Sequence, residues 1–123
     1  MTAARQSLGR LGERLAAQAL AGRGYQIVER NARTAEGEID LVARQGEQWV
    51  FVEVRTRRGQ SFGTPEESIT PRKQARMVRS ALAYLAAQEG REPAWRIDVV
   101  AVELSAQGEL LRVEVIENAV TGG

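Results

Sequence analysis

Apolar residues recur with two periods along this chain, and the switches between them lay out its elements. Leu8, Leu11, Leu15 and Ala19, joined by Ala16 and Leu20, fall on one side of a helix. Ser7 is placed to cap that helix and Gly22 and Gly24 to stop it, which predicts a helix over 8–21. The period then shortens to two. Residues 25–33, 38–44 and 48–57 read as strands, separated by a turn at 34–37 and by Gln45-Gly46-Glu47, which signals a hairpin. Residues 59–69, with Gly63 and Pro65, read as a loop. Thr70-Pro71 offers a capping hydroxyl and then proline at the first helical position, predicting a helix to about residue 88 that ends at Gly90. Met77, Val78, Ala81, Leu82 and Leu85 form its apolar face. Two more strands are expected over 95–104 and 110–116, with a frayed tail after Asn118. The order α-β-β-β-α-β-β predicts an α/β fold, a mixed sheet flanked by helices. No repeat or linker interrupts it, so a single domain over 1–123 is expected, with an ordered core of about 8–117.

Composition narrows the chemistry. Cysteine and histidine are both absent. Disulfides, thiolate or imidazole zinc sites, and Ser–His–Asp or Cys–His hydrolysis are therefore excluded. What remains is carboxylates, hydroxyls, arginine, the single lysine Lys73 and a hard metal ion. The chain has no apolar run of membrane-spanning length and no apolar leader with a small-residue cleavage site. It reads most simply as a cytoplasmic protein without a membrane partner. Net charge is only +1, yet Arg55, Arg57, Arg58, Arg72, Lys73, Arg76 and Arg79 concentrate positive charge in the middle of the chain, a local patch suited to phosphates.

Aspartate occurs only as Asp40 and Asp98, each inside an apolar strand. Strict alternation puts Glu38, Asp40 and Val42 on one face of the second strand, opposite Ile39, Leu41 and Ala43. It puts Trp49, Phe51, Glu53, Arg55 and Arg57 on one face of the third. Paired as a hairpin, the two strands bring Asp40 and Glu53 close. Two half-buried carboxylates repel, and a divalent cation removes the penalty, so hard ligands of this kind suit Mg²⁺ or Mn²⁺. The bland alternative, a strand acid paired with one of many arginines, carries comparable weight on pattern alone. Asp98 beside Arg96 is read as that kind of structural pair. Glu38, nearer the turn, is read as exposed or supporting, and Trp49 and Phe51 as core rather than stacking platforms.

These segments carry a resemblance. Gly9-Arg10-Leu11-Gly12-Glu13, Gly37-Glu38-Ile39-Asp40-Leu41-Val42, Phe51-Val52-Glu53-Val54-Arg55, Phe62-Gly63-Thr64-Pro65-Glu66-Glu67, Lys73-Gln74 and Arg96-Ile97-Asp98-Val99-Val100 resemble, in order and over most of the chain, the YraN-like family of small bacterial proteins. That family is similar to restriction-endonuclease-like nucleases and archaeal Holliday-junction resolvases. The resemblance implies a restriction-endonuclease-like core and metal-dependent phosphodiester hydrolysis on DNA, with branched or junction DNA among the substrates. It implies Asp40, Glu53 and the Val54 carbonyl as metal ligands and Glu13 on the first helix as an outer ligand or water-positioning group. Arg55 stands where the nuclease pattern has lysine. An arginine can stabilise phosphoryl charge but cannot act as a base. Lys73 or Gln74, opening the second long helix, could supply the missing group. Arg57, Arg58, Arg72 and Arg76, with Arg79, are candidate DNA contacts, each weighed against an ordinary solvated face. A homodimer would suit symmetric junction cutting. The alternative function is a nucleic-acid-binding module that keeps this fold with little or no catalysis.

Overall fold

The computed structural model describes residues 3–59, 63–88 and 94–120, with the side chains of residues 3–7 left out. Its elements are α1 (Ala3–Gly22), β1 (Gln26–Thr34), β2 (Gly37–Gln45), β3 (Gln48–Arg58), a 3₁₀ turn (Pro65–Ser68), α2 (Pro71–Ala86), β4 (Trp95–Leu104) and β5 (Leu110–Val120). The strands form one sheet in sequential order, β1-β2-β3-β4-β5. Only β3 and β4 run parallel, because α2 carries the chain back between them. This is the predicted mixed sheet in the predicted element order.

The two faces of the sheet are covered by different helices. Against α1, Ala16, Ala17 and Leu20 pack on Leu41, Ala43, Val50, Val52, Val100 and Val102. Against α2, Ala81 and Tyr84 pack on Val42, Phe51 and Ile97. Each buried Val, Leu or Ile side chain contributes about 1.5–3 kcal/mol relative to exposure. Trp49 and Phe51 belong to this second core as expected: their rings stack 6.5 Å apart and both meet Tyr84 edge-on.

Several expectations require correction. The helix α1 begins at Ala3, so Ser7 lies inside it rather than capping it, and alanines of high helix propensity carry the helix back. The buried face of α2 runs through Ser80, Ala81 and Tyr84, which rotates Leu82 into solvent at 50% exposure. Thr70 does cap α2, its hydroxyl accepting from the Lys73 N–H at 3.2 Å. The proposed stop at Gly90 lies outside the described residues. The tail is not frayed at Asn118: β5 continues to Val120, which is buried and pairs with Ile97. It gets there through a bulge, since Val99 pairs with Ile116 while Ile97 pairs with Val120.

That bulge is built on Asp98, which is fully buried. Asp98 accepts from the Asn118 N–H at 2.9 Å, the Tyr25 hydroxyl at 3.0 Å and both Nε and Nη2 of Arg96 at 2.9 and 3.2 Å. Burial, and then the Asp98 charge, push the Tyr25 phenol up to about 12. All of these bonds are internal, so the Arg96–Asp98 pair is structural, as the sequence suggested.

Candidate functional site

The site arises where β2 leaves β3. Their ladder runs from Gln45↔Gln48 to Leu41↔Val52. The next pair in that register is Asp40 opposite Glu53, and there the strands part. The strand β3 goes on beside β4 as far as Arg58↔Leu104, whereas β2 stays paired to β1 down to Gly37. Parting leaves the β3 backbone groups that had faced β2 without a ladder partner. Asp40 fills one vacancy: its Oδ2 accepts from the Val54 N–H at 2.8 Å. In an extended strand a residue's N–H and C=O point to the same side, so the Val54 carbonyl also faces the gap.

A cavity of about 320 Å³ opens at this fork on the α1 side, lined among others by Glu13, Asp40, Glu53, Val54, Arg55 and Gly9. A second cleft of about 20 Å³, room for roughly one water, lies on the α2 side between Glu38, Asp40, Glu53, Arg76 and Ser80. The Asp40–Glu53 pair separates the two. Burial, and then the charge of Glu53, push Asp40 up to about 8, against the opposing bond from Val54. Burial, then the charge of Asp40, also raises Glu13 above the ordinary glutamate value. The pocket is thus a place where negative charge is costly without a cation.

The approach of α1 has one local cause. A Cβ on Gly12 would stand 1.9 Å from the Thr56 Oγ1, so only glycine lets the helix lie against β3 there. The next residue, Glu13, faces the cavity. Gly9 does something different: a Cβ there meets nothing within 4 Å, and the residue borders the open cavity.

The donor set fits a hard divalent ion in part. Asp40, Glu53 and the Val54 carbonyl are oxygen donors at one fork, and the repulsion between the carboxylates is what a cation relieves. Among the described residues, however, no three carboxylates lie close enough to share one ion. Glu13 is held across the cavity by Asn31, whose amide nitrogen, turned toward the acids, donates to Glu13 Oε2 at 3.2 Å and Glu38 Oε1 at 3.0 Å. Two carboxylates with remaining water ligands is the way Mg²⁺ is commonly bound.

Asn31 is a residue of the fork to which the sequence pattern did not point. It sits in β1 with φ +52°, a left-handed conformation that asparagine tolerates better than most residues. The strict alternation assumed for β2 also fails here. Ile39 packs with Val42 and Phe51 on the α2 side, although Leu41 packs on the α1 side. An asparagine inside a strand-like segment was the available signal.

The structure brings together Glu13, Asp40, Glu53, Val54 and Arg55, and places Arg76 at the rear cleft. Lys73 and Gln74 line neither cavity. Lys73 Nζ donates to the Ser68 carbonyl at 3.2 Å, and Gln74 Nε2 to the Ile69 carbonyl at 3.4 Å. Arg58 is occupied by the Ala106 carbonyl, reached by Nε at 3.1 Å and Nη2 at 3.0 Å. Arg57 is half-buried on β3, Arg72 is exposed in the first turn of α2, and Arg79 pairs with Glu36 at 3.5 Å. No helix among the described residues is long and apolar enough to cross a membrane.

Comparison with known proteins agrees with the resemblance read from the motifs. A family model described as the uncharacterised protein family UPF0102 matches residues 12–102, from just before Glu13 to within β4. A UPF0102 protein of Moorella thermoacetica is 50% identical over 97% of this chain and 99% of its own length. One from Symbiobacterium thermophilum is 48% identical over 91% of this chain and 94% of its own. One from Anaeromyxobacter dehalogenans is 53% identical over 80% and 73%. With the family model covering most of the chain and relatives this close along nearly its full length, the chain belongs to the uncharacterised protein family UPF0102, the YraN family.

Proposed function

We propose that this protein is a metal-dependent, nuclease-like protein acting on DNA phosphodiesters, branched or junction DNA included. The observation that carries the reading is the strand fork. Two carboxylates are held opposite one another at an open cavity, where burial and mutual repulsion push Asp40 up to about 8. Two carboxyl groups that cannot both ionise cheaply are suited to a cation, and the oxygen donors suit Mg²⁺ or Mn²⁺.

In this reading Asp40, Glu53 and the Val54 carbonyl hold the ion, which supplies Lewis acidity toward a phosphoryl oxygen. Glu13, across the cavity, orients a water rather than sharing the ion. Arg55 places positive charge beside the phosphate and stabilises the charge that develops in the transition state, but takes no proton. Arg57, Arg72 and Arg76 position the DNA backbone. Lys73 and Gln74 have no part in the chemistry, since both are bound to backbone carbonyls away from the carboxylates.

One observation favours the second reading, a nucleic-acid-binding module with little turnover: Glu13 is tied to Asn31 and does not join Asp40 and Glu53 around one ion. A cleavage panel of single strands, flaps and four-way junctions, with Mg²⁺ or Mn²⁺, separates the two. The nuclease reading expects cleavage that is abolished by Glu53→Gln and by EDTA. Salt-sensitive binding that survives Glu53→Gln, without cleavage, supports the module. Neither binding nor cleavage on any substrate overturns both.

A further inference from the structure

Arg55 borders an acidic cavity, yet among the described residues no carboxylate pairs with it within 4.0 Å. Among the described residues its one side-chain hydrogen bond goes elsewhere: Nε donates to the Ser68 Oγ at 2.9 Å. That hydroxyl has a single proton, and it is committed to the Pro65 carbonyl at 2.6 Å. An Oγ lone pair is therefore left facing Arg55 by geometry rather than by chance rotation. The 3₁₀ turn that carries Ser68 is itself fixed. Pro65 is buried, Glu66 accepts from Arg112 Nη2 at 2.6 Å, and Lys73 Nζ ties down the Ser68 carbonyl.

A guanidinium gripped through Nε has its plane set while both terminal amino groups stay available. Among the described residues neither terminal nitrogen of Arg55 has a hydrogen-bond partner. Those two nitrogens form the planar fork that matches two oxygens of a phosphodiester. We propose that Ser68 is a positioning residue for anion recognition: it docks Arg55 through Nε and turns the free fork toward a phosphodiester in the cavity. The inference rests on the reading of this cavity as a phosphate site. It also accounts for arginine at position 55. A lysine has only Nζ, so docking on Ser68 would use the charged atom needed for the ligand. An undocked arginine would lose its rotamer freedom only on binding, which weakens affinity.

The experiment is a mutant cycle on the full chain, with Ca²⁺ in place of Mg²⁺ so that binding is read without cleavage. The probes are a fluorescein-labelled DNA four-way junction and a labelled single strand, followed by anisotropy. Ser68→Ala is expected to weaken binding roughly tenfold, the scale of one hydrogen bond to a charged group. In an Arg55→Lys background the same change is expected to do nothing, and Ser68→Thr to restore wild-type affinity. In the free protein the Arg55 Nε–H resonance is expected to be protected from solvent exchange and to lose that protection in Ser68→Ala. An equal loss of affinity from Ser68→Ala in both backgrounds would show a turn that is only structural and overturn the proposal. So would full affinity in Ser68→Ala while Arg55→Ala binds weakly; there the phosphate reading stands and the positioning role falls. Full affinity in Arg55→Ala, or no binding of either probe by the wild type, overturns the phosphate reading and the inference together.

Discussion

Replacing Asp40 by asparagine removes a titratable carboxyl from the fork without removing its backbone contact, because an amide oxygen can still accept from the Val54 N–H. The wild-type carboxyl, pushed from an ordinary value of 3.8 up to about 8, stays protonated in the fold at a pH where the unfolded chain has shed that proton. Each pH unit above 3.8 over which this holds costs about 1.4 kcal/mol, or about 4 kcal/mol in full at pH 7. The cavity is open to water and Glu53 can share the proton, so about half of that, about 2 kcal/mol, is expected to be recovered in the variant. The sign follows from the direction of the shift. A folded value above the unfolded one contributes stability that is complete below about pH 4 and lost as pH rises through about 8. The variant should therefore match the wild type near pH 4 and exceed it progressively toward neutrality. For a chain of this length about 2 kcal/mol corresponds to a rise in melting temperature of about 8 °C. Scanning calorimetry in EDTA measures it, and added Mn²⁺ should close the gap by stabilising only the wild type. Equal melting temperatures at pH 7, or a gap of the same size near pH 4, would refute the repulsion on which the site rests.

Three stability measurements by urea denaturation test the surroundings. Gly12→Ala should destabilise by about 1–3 kcal/mol, since its Cβ would collide with Thr56, and Thr56→Ala should restore part of the loss. Gly9→Ala, on the same helix with open space around its Cβ, should instead stabilise by roughly 0.5–1 kcal/mol. Asp98→Ala takes from Arg96 its carboxylate partner and from the Asn118 N–H its acceptor and should cost about 3–5 kcal/mol, with Asp98→Asn costing less.

Where a feature depended on local periodicity or capping, it could be read from the sequence. The strand over 95–104 is buried along most of its length and shows as a Val-rich run with Asp98 inside it, and its bounds match β4. The Thr70 cap and the hairpin around Gly46 follow from two or three residues each, and both form. The features that were not legible depend on partners distant in sequence. The β5 bulge exists because Asp98, twenty residues earlier, captures the Asn118 N–H. Tyr84 joins the α2 core because Phe51 and Trp49 stand opposite it, while the hydrophobic pattern pointed one step around the helix to Leu82. At the site, the Asp40–Glu53 pairing was predictable from a hairpin register. The phase change at Ile39 was not, because it goes with the left-handed Asn31 on the neighbouring strand. The single lysine suggested Lys73 as the missing ammonium, but its reach is used by a carbonyl of the adjoining turn.

The fork also argues about what this chain has been shaped to do. Asp40 has a structural task, capping the Val54 N–H, and an asparagine would perform it without charge. Glu53 has little structural task among the described residues: it forms no ion pair, although arginines stand nearby, and its one side-chain hydrogen-bond partner is the neighbouring acid Asp40. Its charge, after burial, raises its neighbour's proton affinity. Stability alone therefore favours uncharged residues at both positions, and the same holds for Glu13, raised by burial and by Asp40. Sites where chemistry needs a group that folding does not are where local stability is given up. Arg55, docked through Nε with its fork free, adds a cation that declines the nearest carboxylates. On the proposed reading, three acids and one such arginine around a single cavity would take up a cation and an anion together, which is the pairing a metal-bound phosphodiester would provide.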